Sequence, residues 1–193
     1  MRWMLVIFLC FAVPGTGAGQ LKPADGSDLV GSRAPEWTVG PEWANSKSLV
    51  LSGLRGRVVV VRFWTDTCPY CEASLPAMQK LADEFRDEPV TFIGLYHSKP
   101  RGSERPWKLA VTRANELGVR FPLAYDHMWT TVSEWWLWGR SRSATSASFV
   151  IAPDGTIAFV HPGPVFFPSE DPAQQLANAD FEAIRAAIRT VLP

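Results

Sequence analysis

The sequence is short of the residues that mark several common classes of protein. Its 19 Lys and Arg are matched by 19 Asp and Glu, so the formal net charge at pH 7 is zero. Nucleic-acid binding needs a basic surface, and this balance indicates none. There are three histidines, which stand singly, and no second cysteine pair accompanies the one described below. A structural zinc site, which normally needs four ligands, is therefore not indicated.

An apolar run long enough to span a bilayer, roughly 20 residues, is also missing. The run from Leu5 to Val13 has about half that length, follows Arg2, and precedes Pro14 and small residues. This order is typical of a secretory signal. We predict a signal peptide over residues 1–19, cleaved near Ala18–Gly19, and a periplasmic or secreted protein. An uncleaved segment would instead anchor the protein in the membrane, facing outside.

Cysteine is scarce as well: the chain has three, and Cys10 lies inside the predicted signal. Cleavage leaves Cys68 and Cys71, with two residues between them, in a compartment where disulfides can form. A hydrophobic share of 47% and nine tryptophans argue against disorder. The remaining length fits one domain with its own core. We assign residues 20–33 to a linker and residues 34–193 to that domain.

The hydrophobic pattern predicts an α/β domain, with a central sheet flanked by helices. Four valines and an aromatic pair predict a buried strand over Val58–Trp64, after a short strand and a turn at Gly53–Gly56. An amphipathic helix follows from Pro69, with a kink expected at Pro76. Later segments predict a strand over Val90–His97, a helix that ends at Gly118, a short extended piece, an aromatic helix, a hairpin that turns at Pro153–Gly155, and a closing helix.

The cysteine pair at the start of this helix has a chemical purpose. Cys68 would meet free backbone N–H groups and the positive end of the helix dipole, which favour thiolate over thiol. Cys71, one turn on, could attack a mixed disulfide and release the substrate. The spacing in a strand–helix context indicates redox chemistry. Such chemistry needs no cofactor, because the thiols carry the two electrons.

Two other interpretations of the pair remain open. A structural disulfide is one, although a loop this short restrains the unfolded chain little. A Cu(I) site that uses both thiolates and a histidine is the other. His161, some 90 residues after the motif, is the candidate third ligand. His97 and His127 could flank the site, but packed or solvated roles are favoured for both.

The segment VVVVRFWTDTCPYCEASLP resembles the active-site segment of the TlpA/ResA-like thiol–disulfide oxidoreductases, which are thioredoxin-fold proteins of the redoxin (AhpC-TSA) superfamily. The flanks GSRAPEW and SFVIAPDGTIAFVHPG resemble the same group, so the resemblance covers roughly residues 30–192. It implies a thioredoxin-like fold with a mixed sheet and an N-terminal β-hairpin extension. It also implies that the partners are thiol- or disulfide-containing proteins, together with an upstream protein that donates or accepts electrons.

The resemblance also implies roles for particular residues. Cys68 would be the exposed nucleophile and Cys71 the buried resolving thiol, and together they would form a redox-active disulfide. Trp64 would be a wall of the site. Pro69, Tyr70 and the residue at the family's cis-proline position would join Trp64 in contacting the substrate.

Three positions depart from the family pattern. Arg62 stands where thioredoxins often have Asp and this group Asn, so no buried carboxylate is available there as a proton acceptor; we interpret Arg62 as a structural charge. Thr67 replaces the usual Trp before the motif. Ser146 occupies the cis-proline position. Because a cis bond before a non-proline residue costs roughly 2.5–4 kcal/mol, we expect the bond before Ser146 to be trans.

A peroxiredoxin-like thiol peroxidase is the main alternative function. Peroxiredoxins also lack the cis-proline and place an Arg near the peroxide-binding Cys, and Arg140 and Arg142 lie just upstream of Ser146. Thr65, three positions before Cys68, fits the peroxidase motif. The proline of that motif is missing, because its position holds Val61.

Overall fold

The computed structural model of the protein describes residues 24–103, 105–142 and 144–193. The predicted signal peptide lies outside the described residues. Within them, no helix combines the length and the apolar character needed to cross a membrane.

A mixed sheet forms the centre of the described structure, and its strands are ordered β1-β4-β3-β2-β5-β6. Strand β2 pairs in parallel with β3 and antiparallel with β5. The strands are β1 (Trp43–Ala44), β2 (Val58–Trp64), β3 (Val90–Tyr96), β4 (Leu123–Tyr125), β5 (Ser148–Ile151) and β6 (Ile157–His161). The predicted buried strand and the late hairpin are therefore both confirmed.

Helices cover both faces of the sheet, as predicted. They are α1 (Pro69–Glu84), α2 (Trp107–Glu116), α3 (Thr130–Val132, continued by a π-helical turn, Ser133–Leu137) and α4 (Gln175–Val191). Helix α1 continues through Pro76, which lies inside it. Gly118 follows α2 with a φ of 74°, a left-handed conformation that suits glycine and ends the helix.

Strand β2 lies in the interior because both of its faces are covered. All seven of its residues are buried. Side chains alternate along a strand, so Val58 and Val60 pack in the cluster that holds α1 and α4, whereas Val59 and Val61 pack in the cluster of the aromatic helix. Arg62, the next even-numbered residue, therefore shares the face that α1 covers.

The predicted N-terminal hairpin before β2 is wrong. Residues Leu51–Leu54 form a 3₁₀ turn instead of a strand, and the Glu36 carboxylate accepts hydrogen bonds from the backbone N–H groups of Leu51 and Ser52. The extra strand is β1, which pairs with β4 at the edge of the sheet. The reason is topological: β3 and β5 already occupy both edges of β2, so no edge is left for a hairpin partner.

The described part of the segment assigned to a linker packs against the domain. The Gly31 N–H donates to the Ile157 carbonyl at 2.9 Å, and the Ile157 N–H donates to the Ser32 carbonyl at 2.8 Å. Arg33 forms an isolated bridge with Thr156. Residues 31–33 thus extend the sheet beyond β6, where the sequence had indicated a loose connection.

Candidate active site

Cys68 lies where β2 gives way to α1. It is the N-cap of α1, and Pro69 opens the helix. The side chain is half-buried and is held as a free thiol, like Cys71. The Cys71 thiol donates a hydrogen bond to the Cys68 sulfur, and the backbone N–H groups of Cys71 and Tyr70 donate to it as well. Together with the positive charge of Lys99, these hydrogen bonds lower the pKa of Cys68 to about 5. Cys68 is therefore a thiolate at neutral pH.

Cys71 has the opposite character. It lies one turn into α1, only 1% exposed. Its hydrogen bond to Cys68 and its burial raise its pKa well above 9, while the positive charge of Arg62 acts in the other direction. The pair thus holds one half-buried thiolate and one buried thiol that donates to it. This is the charge distribution that attack by Cys68 and later attack by Cys71 require.

A cavity of about 490 Å³ opens beside Cys68. Its volume lies within the range of small-ligand pockets, about 300–1,000 Å³. Tyr70, half exposed, forms part of its rim. Of the predicted substrate-contacting residues, Pro69, Tyr70 and Ser146 line this cavity. The full lining is Thr65, Thr67, Cys68, Pro69, Tyr70, Lys99, Ala144, Thr145, Ser146 and Pro164.

The far wall of the cavity is the loop that carries Ser146. Among the described residues the cis peptide bonds precede Pro100 and Pro164, so the bond before Ser146 is trans, as expected. Nε2 of His97 and Oγ1 of Thr145 are 2.8 Å apart. Burial lowers the pKa of His97 to about 3, so this histidine is neutral. A buried histidine at the end of β3 thus holds the loop in place.

Trp64 does not contribute to the cavity, which corrects the expectation that it forms a wall of the site. It is 0% exposed and packs edge-on against Tyr96, with ring centroids 5.1 Å apart. Because side chains alternate along β2, Trp64 points to the same side as Val60 and packs in the same core cluster. Trp64 is part of the core that supports the strand before the motif.

Arg62 lies beneath the cysteine pair. It is 0% exposed, and its guanidinium donates to Ser148 Oγ and to the Pro164 carbonyl, both at 2.9 Å. It also interacts electrostatically with both sulfurs, Cys71 first. The sequence interpretation of a structural charge missed this proximity. The signal was available, because Arg62 is on the β2 face that the cysteine-bearing helix covers.

Comparison with known proteins agrees with this fold and site. Residues 30–160 match the AhpC/TSA family. The chain belongs to this family. It is 28% identical over 121 residues to protein DipZ of Mycobacterium tuberculosis, a match that covers 61% of this chain and 16% of DipZ. It is 32% identical over 81 residues to thiol-disulfide oxidoreductase ResA of Halalkalibacterium halodurans, which covers 42% of each chain.

Solved structures of other proteins share the fold of this chain. A thiol:disulfide interchange protein of the thioredoxin family from Chlorobium tepidum superposes with a TM-score of 0.61 at 20% identity, covering 86% of this chain and all of that one. The thioredoxin-like fold predicted from the motif and its flanks is therefore confirmed. The chain spans less than half the length of the two curated relatives named above.

The two arginines that favoured the peroxidase interpretation do not line the cavity of this AhpC/TSA member. Arg140 pairs with Asp28 at 2.6 Å. The Arg142 guanidinium lies 3.5 Å above the Trp136 ring and also reaches Asp28. Among the described residues that line the cavity, Lys99 carries the positive charge.

The remaining histidines are engaged elsewhere. His161 is buried, its ring stands edge-on to Phe166, and its Nε2 is 3.2 Å from Asp180 Oδ2. It does not join the two cysteines, since the described residues contain no group of three His, Cys, Asp or Glu side chains that could hold a metal ion. The Cu(I) interpretation therefore lacks the third ligand that the sequence suggested. His127 is paired with Glu42 at 2.9 Å.

Proposed function

We propose that this protein is an exported thiol–disulfide oxidoreductase that exchanges the Cys68–Cys71 dithiol and disulfide with protein substrates. The observation that carries the proposal is the asymmetry of the pair. A thiolate with a pKa of about 5 faces a cavity, and a buried thiol with a raised pKa donates to it. The name of the ResA relative, a thiol-disulfide oxidoreductase, supports the same class of reaction without fixing a substrate.

The chemistry follows from the positions of the two sulfurs. The Cys68 thiolate attacks one sulfur of a substrate disulfide, that disulfide breaks, and a mixed disulfide forms while the first substrate thiolate leaves. Cys71 then gives up its proton and attacks the Cys68 sulfur, releasing the second substrate thiolate. Two electrons pass to the substrate, and the pair ends as a disulfide. The reverse sequence oxidises a substrate dithiol.

The access of protein substrates depends on the cavity rim. Tyr70 is exposed beside Cys68, and the Ser146 loop forms the opposite side. An extended segment with a disulfide could lie between them, with its sulfur above Cys68. The proposed partners are therefore thiol- or disulfide-containing proteins outside the cytoplasm, and a second protein that restores the redox state of the pair.

A direct test uses purified protein from which residues 1–19 are absent. The wild type should catalyse reduction of insulin by dithiothreitol, and Cys68→Ser should abolish it. Cys71→Ser should accumulate a mixed disulfide with the substrate, because the first attack proceeds and the resolving step cannot. Activity that survives Cys68→Ser would overturn the proposal. Export is tested separately, by sequencing the N-terminus of the protein recovered from the periplasm or medium.

A thiol peroxidase activity is the second candidate, and one observation favours it. The buried hydroxyl of Thr65 lines the cavity beside Cys68 and has no hydrogen-bond partner within the described part of the chain. In a peroxidase reaction the Cys68 thiolate would attack a peroxide oxygen and release water or an alcohol. Cys71 would then displace water from the resulting sulfenic acid. Peroxide consumption no faster than that of a simple dithiol would exclude this activity.

A further inference from the structure

Arg62 is a buried cation, and its contacts with Ser148, Pro164 and Phe166 are all with neutral groups. Its guanidinium donates to the Ser148 hydroxyl and the Pro164 carbonyl, and it stacks 4.8 Å from the centre of the Phe166 ring. Its Nε finds no hydrogen-bond partner among the described residues. Buried charges are normally paired with an opposite charge, so a counter-ion is expected close to this arginine.

Neither a carboxylate nor a histidine of the described residues serves as the counter-ion of Arg62. In the part of the chain that the structure describes, no carboxylate lies within 4.0 Å of Arg62. His161 on β6 is the titratable neighbour on that side, and burial together with the charge of Arg62 lowers its pKa to about 4, so it is neutral. Asp180 on α4 is in contact with His161, not with Arg62, and is half exposed.

The cysteine pair lies where a counter-ion would be needed. Pro164, which accepts from Arg62, lines the cavity that contains Cys68. The N–H of Phe166, the ring beside the guanidinium, donates to the hydroxyl of Ser74, one turn after Cys71 on α1. Arg62 is therefore enclosed by residues that border both sulfurs, and its electrostatic partners are Cys71 and Cys68.

We propose that the counter-ion of Arg62 is the thiolate of the reduced cysteine pair, and that this positioning residue biases the pair towards accepting electrons. The proposal rests on the proposed function and gives it a direction. In the disulfide form neither sulfur is charged, so Arg62 is buried without compensation. Reduction creates an anion beside it. The reduced form is therefore favoured, and the protein acts as an oxidant of substrate dithiols.

Oxidation of a substrate dithiol by the Cys68–Cys71 disulfide needs no further oxidant. A substrate thiolate attacks Cys68 Sγ of the disulfide, the Cys68–Cys71 bond breaks, and Cys71 leaves as a thiolate beside Arg62 before taking a proton from solvent. The second substrate thiolate attacks the substrate sulfur bound to Cys68. The substrate disulfide forms, Cys68 leaves as a thiolate, and two electrons have passed from substrate to protein.

The test is the equilibrium of the pair with reduced and oxidised glutathione. Arg62→Met keeps an unbranched side chain without the charge. We expect its equilibrium to move at least tenfold towards the disulfide form, a fall in reduction potential of about 30 mV or more. Arg57→Met, the same change at an exposed arginine just before β2, is the matched control and should leave the equilibrium unchanged. An unchanged equilibrium in Arg62→Met, or a shift towards the dithiol form, would overturn the proposal.

A second measurement uses the wild type alone and remains informative if Arg62→Met does not fold. The reduced protein should resist urea at pH 7 better than the oxidised protein, because only the reduced protein supplies Arg62 with an anion. A more stable oxidised form would contradict the proposal. Both measurements are independent of turnover. A wild type that does not catalyse insulin reduction therefore refutes the proposed function, whereas these two outcomes decide the role of Arg62.

Discussion

Cys68 and Cys71 share one hydrogen bond that sets the chemistry of both. The hydrogen bond lowers the pKa of Cys68 because it stabilises the Cys68 thiolate. It raises the pKa of Cys71 because Cys71 must keep its proton in order to donate. The two thiols therefore titrate as a unit and not as separate groups. Substitution of either one changes the acid–base behaviour of the other.

The loss of the donor should be visible in the remaining thiol. In Cys71→Ala the pKa of Cys68 should rise by about one unit or more, because the largest stabilising contact disappears. In Cys71→Ser the rise should be smaller, since a hydroxyl can still donate. The rate of alkylation by iodoacetamide as a function of pH measures both values. Equal pKa values in the wild type and Cys71→Ala would show that the thiol donor is not the cause.

The same shift predicts how the stability of the reduced protein depends on pH. The pKa of Cys68 is depressed from its ordinary value of 9.0 to about 5 on folding. The stabilising contribution is therefore complete above the unfolded value and is lost as pH falls through the folded one. We expect the free energy of unfolding of the reduced protein to decrease between about pH 9 and pH 5, with a weaker decrease in Cys68→Ala. Urea unfolding under reducing conditions gives the comparison.

His97, which follows β3, is coupled to the Ser146 loop through its polar contact with Thr145. Thr145→Val keeps the shape of the side chain but leaves the buried Nε2 of His97 without a partner. An unsatisfied buried polar group costs about 1–3 kcal/mol, and we expect a loss of that order in thermal unfolding. Thr130→Val is the control, because its hydroxyl bonds the His127 carbonyl at the surface; its change should stay within about 0.5 kcal/mol.

The elements differ in how well the sequence predicts them. Strand β2 and helix α1 are predictable because their signals are local: a run of valines, then Pro69 and a period near four. The hairpin before β2 was predicted wrongly because the partners of a strand can come from distant segments of the chain. Here β3 and β5 pair with both edges of β2. The environment of Arg62 is equally non-local, since Pro164 and Phe166 arrive from about 100 residues further on.

At the scale of the molecule, Asp28 ties the beginning of the described chain to the loop before β5. Its carboxylate pairs with Arg140 and Arg142, whose side chains are 6% and 1% exposed. Asp28→Asn would remove the carboxylate that Arg140 and Arg142 share, and hydrogen bonds to charged groups contribute roughly 1.5–3 kcal/mol. We expect a destabilisation of about 2 kcal/mol in urea unfolding. Asp87→Asn, which breaks an exposed pair with Arg86, should have little effect.

Residues 31–33 have a consequence for how the protein behaves in solution. They supply backbone hydrogen-bond partners for both the N–H and the carbonyl of Ile157, the first residue of β6. A truncated chain that starts at residue 34 would leave those groups open, and an open strand edge is a template for pairing with another molecule. We expect such a chain to self-associate with rising concentration in light scattering, whereas a chain cleaved near Ala18–Gly19 keeps residues 31–33 and should self-associate less.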